Sequence, residues 1–300
     1  MTELLQHLVN GVSVGAIYAL IALGYTMVYG VLKLINFAHG DVFMMGAMMG
    51  WYASARWSTE SRNPTIVGAL LVTLVSMVIC GVLGLLIERL AYRPLRNAPR
   101  INSLITAIGV SFLLEYGGQL VFDPNPRAFG VLPRHDALHF AGLNVGYVDL
   151  VTMAVSVVLM LLLRWIVFYT RIGTAMRAVS WNADVAALMG VTTGFVITFT
   201  FVLGSVLAAV AGILYASKYP RVDPLMGLMP GLKAFVAAVL GGIGSVPGAM
   251  LGGLLLGLAE QLVAGYGTSQ WRDAVAFAIL IVVLLVKPSG LLGSTAAEKV

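Results

Sequence analysis

Hydrophobic residues in this chain fall into long, nearly unbroken runs parted by short polar stretches, at 8–32, 42–57, 65–88, 101–122, 147–168, 193–216, 232–264 and 271–287. About 20 apolar residues of helix cross roughly 30 Å of hydrocarbon, so these runs are candidate membrane helices. The second run is short, and the seventh is too long for one unbroken span. Nothing alternates with period two in blocks of about ten, which argues against an outer-membrane barrel. The pattern predicts an all-α, polytopic transmembrane helix bundle of about eight hydrophobic segments, built as one transmembrane domain over 1–300.

Composition strengthens that reading. The chain is 59% hydrophobic and 10% charged, whereas a soluble domain carries about a quarter charged residues. Mean hydropathy is +0.94. Too few polar groups exist to coat a water-facing surface, which excludes a soluble enzyme, a nucleic-acid binder and a disordered scaffold. The net charge of +5 sits in short loops, where it reads as a topology signal and not as a footprint for nucleic acid. Cys80, the single cysteine, leaves no disulfide framework or cysteine metal site. The N-terminal MTELLQHLVNG lacks a basic region before its apolar stretch, so it is expected to be a retained first helix.

Charge asymmetry sets an orientation. Arg89, Arg93, Arg96 and Arg100 follow the third run, and Arg164, Arg171 and Arg177 surround the end of the fifth. Both clusters are expected on the cytoplasmic side. Between them, 123–146 carries the cancelling charges Asp123, Arg127, Arg134 and Asp136. Pro124, Pro126 and Pro133 disfavour a helix there. This stretch is expected to be the largest external loop.

Two segments are interrupted, near 33–41 and 240–248. The first places Asn36, His39, Gly40 and Asp41 between two apolar runs. The second places Gly241, Gly242, Gly244, Pro247 and Gly248 inside the seventh run. Gly/Pro-interrupted segments in the two halves of a membrane protein point to a solute path, because unwound backbone at membrane depth needs protein or a water-filled cavity to satisfy it. The plainer reading of Asn36 to Asp41 is a connecting loop in which Asp41 caps the next helix. Glu115 and Glu260 also lie within apolar runs. Such carboxylates are either functional or tied into an interhelical hydrogen bond.

Residues 173–190 are amphipathic and too polar to span. Met176, Val179, Ala183, Ala186 and Ala187 recur at three and four as one helical stripe, with Arg177, Ser180 and Asp184 on another face. Gly173 and Gly190 bracket the segment, and Thr174 is placed to cap its start. A helix displayed on the inner side with an alanine-rich face fits a groove on a soluble partner better than the bilayer interface, which favours Lys/Arg-rich helices with bulky anchors. The chain has no GxxxxGK[ST] loop, HExxH helix or GxSxG elbow. Uphill transport driven by ATP therefore needs an ATPase on another chain.

The motif INFAHGD at 35–41 and the segment GTAMRAVSWNADVAALMGV at 173–191 resemble the inner-membrane permeases of branched-chain amino acid ABC importers, most of all their LivH-type subunits. So do FVLGSVLAAVAGILY, AFVAAVLGGIGSVPGAMLGGLLLGLAE at 234–260, the KPSGLLG ending and the tail Glu298-Lys299-Val300. The resemblance covers nearly the whole chain. It implies a permease of the bacterial inner membrane paired with a second homologous permease, two cytoplasmic ATPase subunits and a soluble solute-binding protein. It implies no cofactor on this chain, with ATP-Mg bound by the ATPase subunits. It also implies that 173–191 is the coupling helix, so that Gly173, Arg177, Ala178, Asp184, Ala187 and Gly190 transmit ATPase motion. Asn36, His39, Gly40 and Asp41 with Gly241, Gly242 and Gly244 are expected to line the substrate pathway. The expected solute class is branched-chain or related apolar amino acids, the broad permease family also serving urea and short amides. Two other classes stand beside this one. An ATP-independent channel or ion-coupled transporter explains the broken segments but leaves 173–190 without a task. A membrane-embedded lipid enzyme has carboxylates in Asp41, Glu115 and Glu260 but no triad or metal signature to join them.

Overall fold

The computed structural model describes residues 2–56, 65–96, 98–132, 138–140 and 142–293. Pro133, Arg134 and Asp136 of the expected external loop, and the tail Glu298-Lys299-Val300, lie outside the described residues. The eight apolar runs become helices α1 (Thr2–Leu32), α2 (His39–Arg56), α3 (Ile66–Leu86), α4 (Arg100–Phe122), α5 (Tyr147–Tyr169), α8 (Thr193–Lys218), the pair α9 (Leu228–Gly241) and α10 (Val246–Tyr266), and α11 (Trp271–Val286). The overlong seventh run is thus two helices. Among the described residues, six helices are long and apolar enough to cross a membrane: α1, α3 with its continuation to Leu95, α4, α5, α8 and α10.

Helix α1 is apolar on all sides and sits at the centre of the bundle, buried from Gly11 to Val28. A helix apolar all round belongs inside. It packs mainly on α10, α8, α9 and α5. Around this core the outer helices are built inside out relative to a soluble protein. On α4 the inward stripe is Ser103, Ala107, Ser111, Glu115 and Gly118, while Ile105, Phe112, Leu113, Leu120 and Val121 face outward. On α5 the buried stripe begins with Thr152 and Ser156. Lipid tails are as apolar as leucine, so small and polar residues mark the protein-facing side.

Polar contacts define the two ends of the bundle. At one end, Gln6 of α1 bonds the backbone of Asn144, which lies in the hairpin of β2 (Leu138–Phe140) and β3 (Leu143–Val145). At that same end, β1 (Arg127–Ala128) pairs antiparallel with β4 (Arg221–Val222). At the other end lie the C-terminus of α1, the α3–α4 link, the start of α8 and the α9–α10 turn. The Ser180 hydroxyl donates to the Gly30 carbonyl there (2.5 Å). The basic clusters Arg89–Arg96 and Arg171–Arg177 gather at this second end, the one that the positive-inside tendency expects on the cytoplasmic side. The N-terminal end of α1 therefore shares its side with the α4–α5 connection.

One expectation about local structure is corrected. Residues 173–190 are not one helix but two, α6 (Arg171–Trp181) and α7 (Ala183–Leu188). Asn182 is extended between them, and its side-chain oxygen accepts from the N–H groups of Asp184 and Val185, an N-cap that restarts the helix. The start of α6 is capped by Thr170, whose hydroxyl oxygen accepts from Gly173 N (3.1 Å), and not by Thr174.

Candidate functional site

The first break runs from Lys33 to Ala38, and each of its polar groups is held by a different neighbour. Beyond Leu86, α3 widens into a π-helical stretch, Ile87–Tyr92, a form that recurs at functional sites. Tyr92 on this stretch donates to Asn36 Oδ1 at 2.9 Å. His39 begins α2, fully buried, with its ring edge-on to Tyr25 (centroids 4.8 Å apart) and packed on Gly24 and Gly204. Its Nε2 has no hydrogen-bond partner among the described residues. Gly40 lies against Gly227 and Gly231 at the start of α9.

Asp41 does not cap α2. Its carboxylate reaches across to α4 and accepts from the Ser111 hydroxyl, beside the Glu115 carboxyl. Both carboxyl groups are buried, at 2% and 5% exposure. They border a cavity of about 230 Å³ that opens to the outside of the bundle and is lined by α4, the first break and the first turn of α9. Aromatic and aliphatic walls come from Tyr25, Phe37, Ile108 and Phe112.

The second break sits elsewhere. Gly241, Gly242 and Gly244 form the tight turn between α9 and α10 at the end of the bundle that holds the basic clusters. Gly242 has φ 106° and Gly244 φ 93°, left-handed backbone that other residues adopt only under strain. Gly241 lies against Gly248. The C-terminal segment closes over the turn, with Leu291 N and Leu292 N donating to the carbonyls of Leu240 and Gly241, each at 2.9 Å. Gly40 and the Gly241–Gly244 turn therefore meet opposite ends of α9, about 20 Å apart at 1.5 Å per residue. The expected pathway residues form two groups at different depths.

Three ionic groups, buried or partly buried in the bundle, join residues far apart in the sequence. Lys233, which lies inside the seventh apolar run, bonds Glu260 Oε1 of α10 (2.9 Å) and Asp273 Oδ1 of α11 (2.6 Å). Glu260 is thus an interhelical ion pair. Lys218 of α8 pairs with Asp149 of α5, which also accepts from Ser13 of α1 (2.7 Å). Glu88 on the π-helical stretch pairs with Arg96 and accepts from Thr198 of α8 (2.8 Å). Each of these joins two or three helices within the bundle, as intramembrane charge does when it is structural. Among the described residues, no three His, Cys, Asp or Glu side chains are placed to hold a metal ion.

On α6 and α7 the exposed face differs from the expected one. Met176, Val179 and Ala186 of the small apolar stripe are buried in the chain's own core. Ala183 and Ala187 are exposed, because the break at Asn182 turns α7 out of phase with α6. Exposed instead are Trp181 (91%), Leu188 (87%) and Met189 (80%), with Val185. Arg177, Asp184, Ala187 and Gly190 are exposed as well, Ala178 is half-buried, and Gly173 is buried against α5.

A bundle with several helices long enough to cross the membrane, opened within by one chain break and holding a carboxyl-lined cavity beside it, has the build of a solute-translocating membrane protein. The family described as the permease component of the branched-chain amino acid transport system matches residues 7–284. The high-affinity branched-chain amino acid transport system permease protein BraD of Pseudomonas aeruginosa is 42% identical over 300 residues, covering 99% of this chain and 98% of the relative. The corresponding protein LivH of Escherichia coli K12 is 44% identical over 305 residues, covering 99% and 97%. A probable LivH of Methanocaldococcus jannaschii is 27% identical, covering 91% and 88%. The chain belongs to this permease family and is a multi-pass protein of the cytoplasmic membrane.

Proposed function

We propose that this chain is the permease subunit of an ATP-driven importer for branched-chain or related apolar amino acids. It works beside a second homologous permease, two cytoplasmic ATPase subunits that bind ATP-Mg, and a soluble binding protein that delivers solute to the 123–146 side. Full-length likeness to BraD and LivH carries this reading. The solute passes Asn36, His39, Gly40 and Asp41 at membrane depth and leaves near Gly241, Gly242 and Gly244, which hold the inner end of α9 in place. The chain acts as a single permease domain, with lipid around its apolar outer faces.

The segment 173–191 serves as the coupling element, with α6 anchored in the bundle and α7 offered to an ATPase groove. Trp181, Val185, Leu188 and Met189 supply its apolar contacts, and Arg177, Ala178, Asp184, Ala187 and Gly190 frame them. Gly173 seats α6 on α5. Four large apolar side chains exposed within nine residues suit a helix-in-groove dock. Changing Val185 and Leu188 to Asp is expected to cut ATP-driven uptake by 10-fold or more, as roughly expected when interface anchors worth about 2 kcal/mol are lost. The abundance of the folded chain should stay the same, because both side chains are exposed. Uptake unchanged in that variant would remove the coupling role from α7.

The whole reading is tested by mild-detergent purification from native membranes, followed by uptake into proteoliposomes. Two P-loop ATPases and a second permease should co-purify, and labelled leucine should accumulate only with ATP. Uptake that persists without ATP and collapses with an ionophore would favour an ion-coupled transporter.

A further inference from the structure

The cavity beside Asp41 contains two carboxyl groups and no cation. Among the described residues, none of the ion pairs includes Asp41 or Glu115. This contrasts with Lys233–Glu260, Lys218–Asp149 and Arg96–Glu88, where a buried carboxylate has its basic partner within the chain. Glu115 is 95% buried and borders the cavity. Its carboxyl shares a side-chain hydrogen bond with Asp41, and among the described residues no basic side chain pairs with it. A proton shared between the two carboxyls still leaves the pair with one buried negative charge, which costs several kcal/mol unless a cation comes to lie beside it.

The geometry points to a primary ammonium group as the missing partner: the Asp41–Glu115 cavity is a binding site for the α-ammonium of the transported solute. The inference rests on the proposed role in amino acid import and adds the chemistry by which the permease itself recognises its cargo. An ammonium has three N–H donors, and the cavity offers the Asp41 carboxylate, the Glu115 carboxylate and the lone pairs of Ser111 Oγ. Tyr25, Phe37 and Phe112 line the same space, and a cation over the face of an aromatic ring gains further from its π-electron density. A divalent metal is a poor match, since it seeks six or more oxygens and most of this wall is apolar. A neutral amide would leave the charge of the carboxyl pair uncompensated. About 230 Å³ is below the roughly 300–1,000 Å³ of drug-sized sites and suits a small solute. The first turn of α9 forms the opposite wall. Its dipole turns a positive end to the cavity, so a carboxylate next to the ammonium is accommodated. The site reads what all α-amino acids share, which leaves discrimination among their side chains to the binding protein.

The test uses the purified transporter complex in detergent and three probes at 10 mM: L-leucine, 3-methylbutylamine, which keeps only the ammonium, and 4-methylpentanoate, which keeps only the carboxylate. A ligand that binds only the folded state raises its unfolding temperature. Leucine and the amine are expected to raise it by about 3 °C, and the acid to leave it unchanged. The D41N/E115Q variant should lose both shifts. Ile108→Trp, which fills the cavity without touching either carboxyl, should lose them too and covers the case in which D41N/E115Q does not assemble. An amine shift that is absent in the wild type, or that survives both variants, overturns the site. The thermal readout needs no ATP, so failure of the importer reading would show separately, as missing ATPase subunits or ATP-independent uptake.

Discussion

Lys233→Met is expected to destabilise the folded chain by about 3–5 kcal/mol, the cost of removing one partner from a buried ion pair. The Lys233 ammonium is 6% exposed and holds Glu260 and Asp273 together, so α9, α10 and α11 meet at a single positive charge. Methionine fills most of the same volume, which leaves the charge as the variable. Without it, Glu260 stays buried with no cation beside it, and the neutral Tyr18 hydroxyl is its remaining polar neighbour. Asp273 is half exposed and can turn to water. K233M/E260Q, with a neutral amide in place of the stranded carboxylate, should regain most of the loss, whereas K233M/D273N should regain little. Asp273→Asn alone should cost less than about 1 kcal/mol, as for an exposed pair. Unfolding temperatures of the four variants in detergent check this. A K233M chain as stable as the wild type would mean that the ion pair contributes nothing to holding the three helices together.

Lys233 also shows where sequence reasoning stopped. The eight apolar runs, the two interruptions and the inner-side basic clusters were all legible, because span length, Gly/Pro punctuation and loop charge are local properties. Partnership is not local. Lys233 and Glu260 are 27 residues apart, and Asp41 and Ser111 are 70 apart, so no window of sequence reports that they meet. Lys233 itself disappeared into a run judged by its average. The inward stripe of α4 is a local pattern: Ser103, Ala107, Ser111 and Glu115 recur every four residues within an otherwise apolar helix, which in a membrane marks the protein-facing side. For residues 173–190, periodicity alone continues one stripe across Asn182. An extended, capping Asn resets the phase of a helix, and the apolar face beyond it pointed elsewhere. Finding the two breaks was easier than relating them. Each was visible alone, but only the path of α9 shows that Gly40 and Gly242 belong to its opposite ends.

The second large effect is expected at the crossing of α1 and α10. Without a hydrophobic force between helices in lipid, close van der Waals packing and hydrogen bonds hold the bundle, and α1 is its central element. Gly11 and Gly15 on α1 face Leu258, Gly253 and Gly257 on α10, with backbone next to backbone. A Cβ on Gly257 would run into the backbone of Gly15 and the carbonyl of Gly11, neither of which can rotate away as a side chain can. Gly257→Leu must therefore push the two helices apart along their whole contact. Overpacking costs about 1–3 kcal/mol where side chains can adjust, and more is expected where only backbone is available to move. The variant should give little monodisperse protein on gel filtration. Gly117→Leu on α4 makes the opposite prediction with the same chemistry. A Cβ there meets nothing within 4 Å, and leucine favours the helix by nearly 1 kcal/mol over glycine, so the chain should fold at least as well as the wild type. If Gly257→Leu behaved like Gly117→Leu, the tight α1–α10 crossing could not be what organises the bundle. The ion pairs and the lipid-facing helices would then have to fix the position of α1.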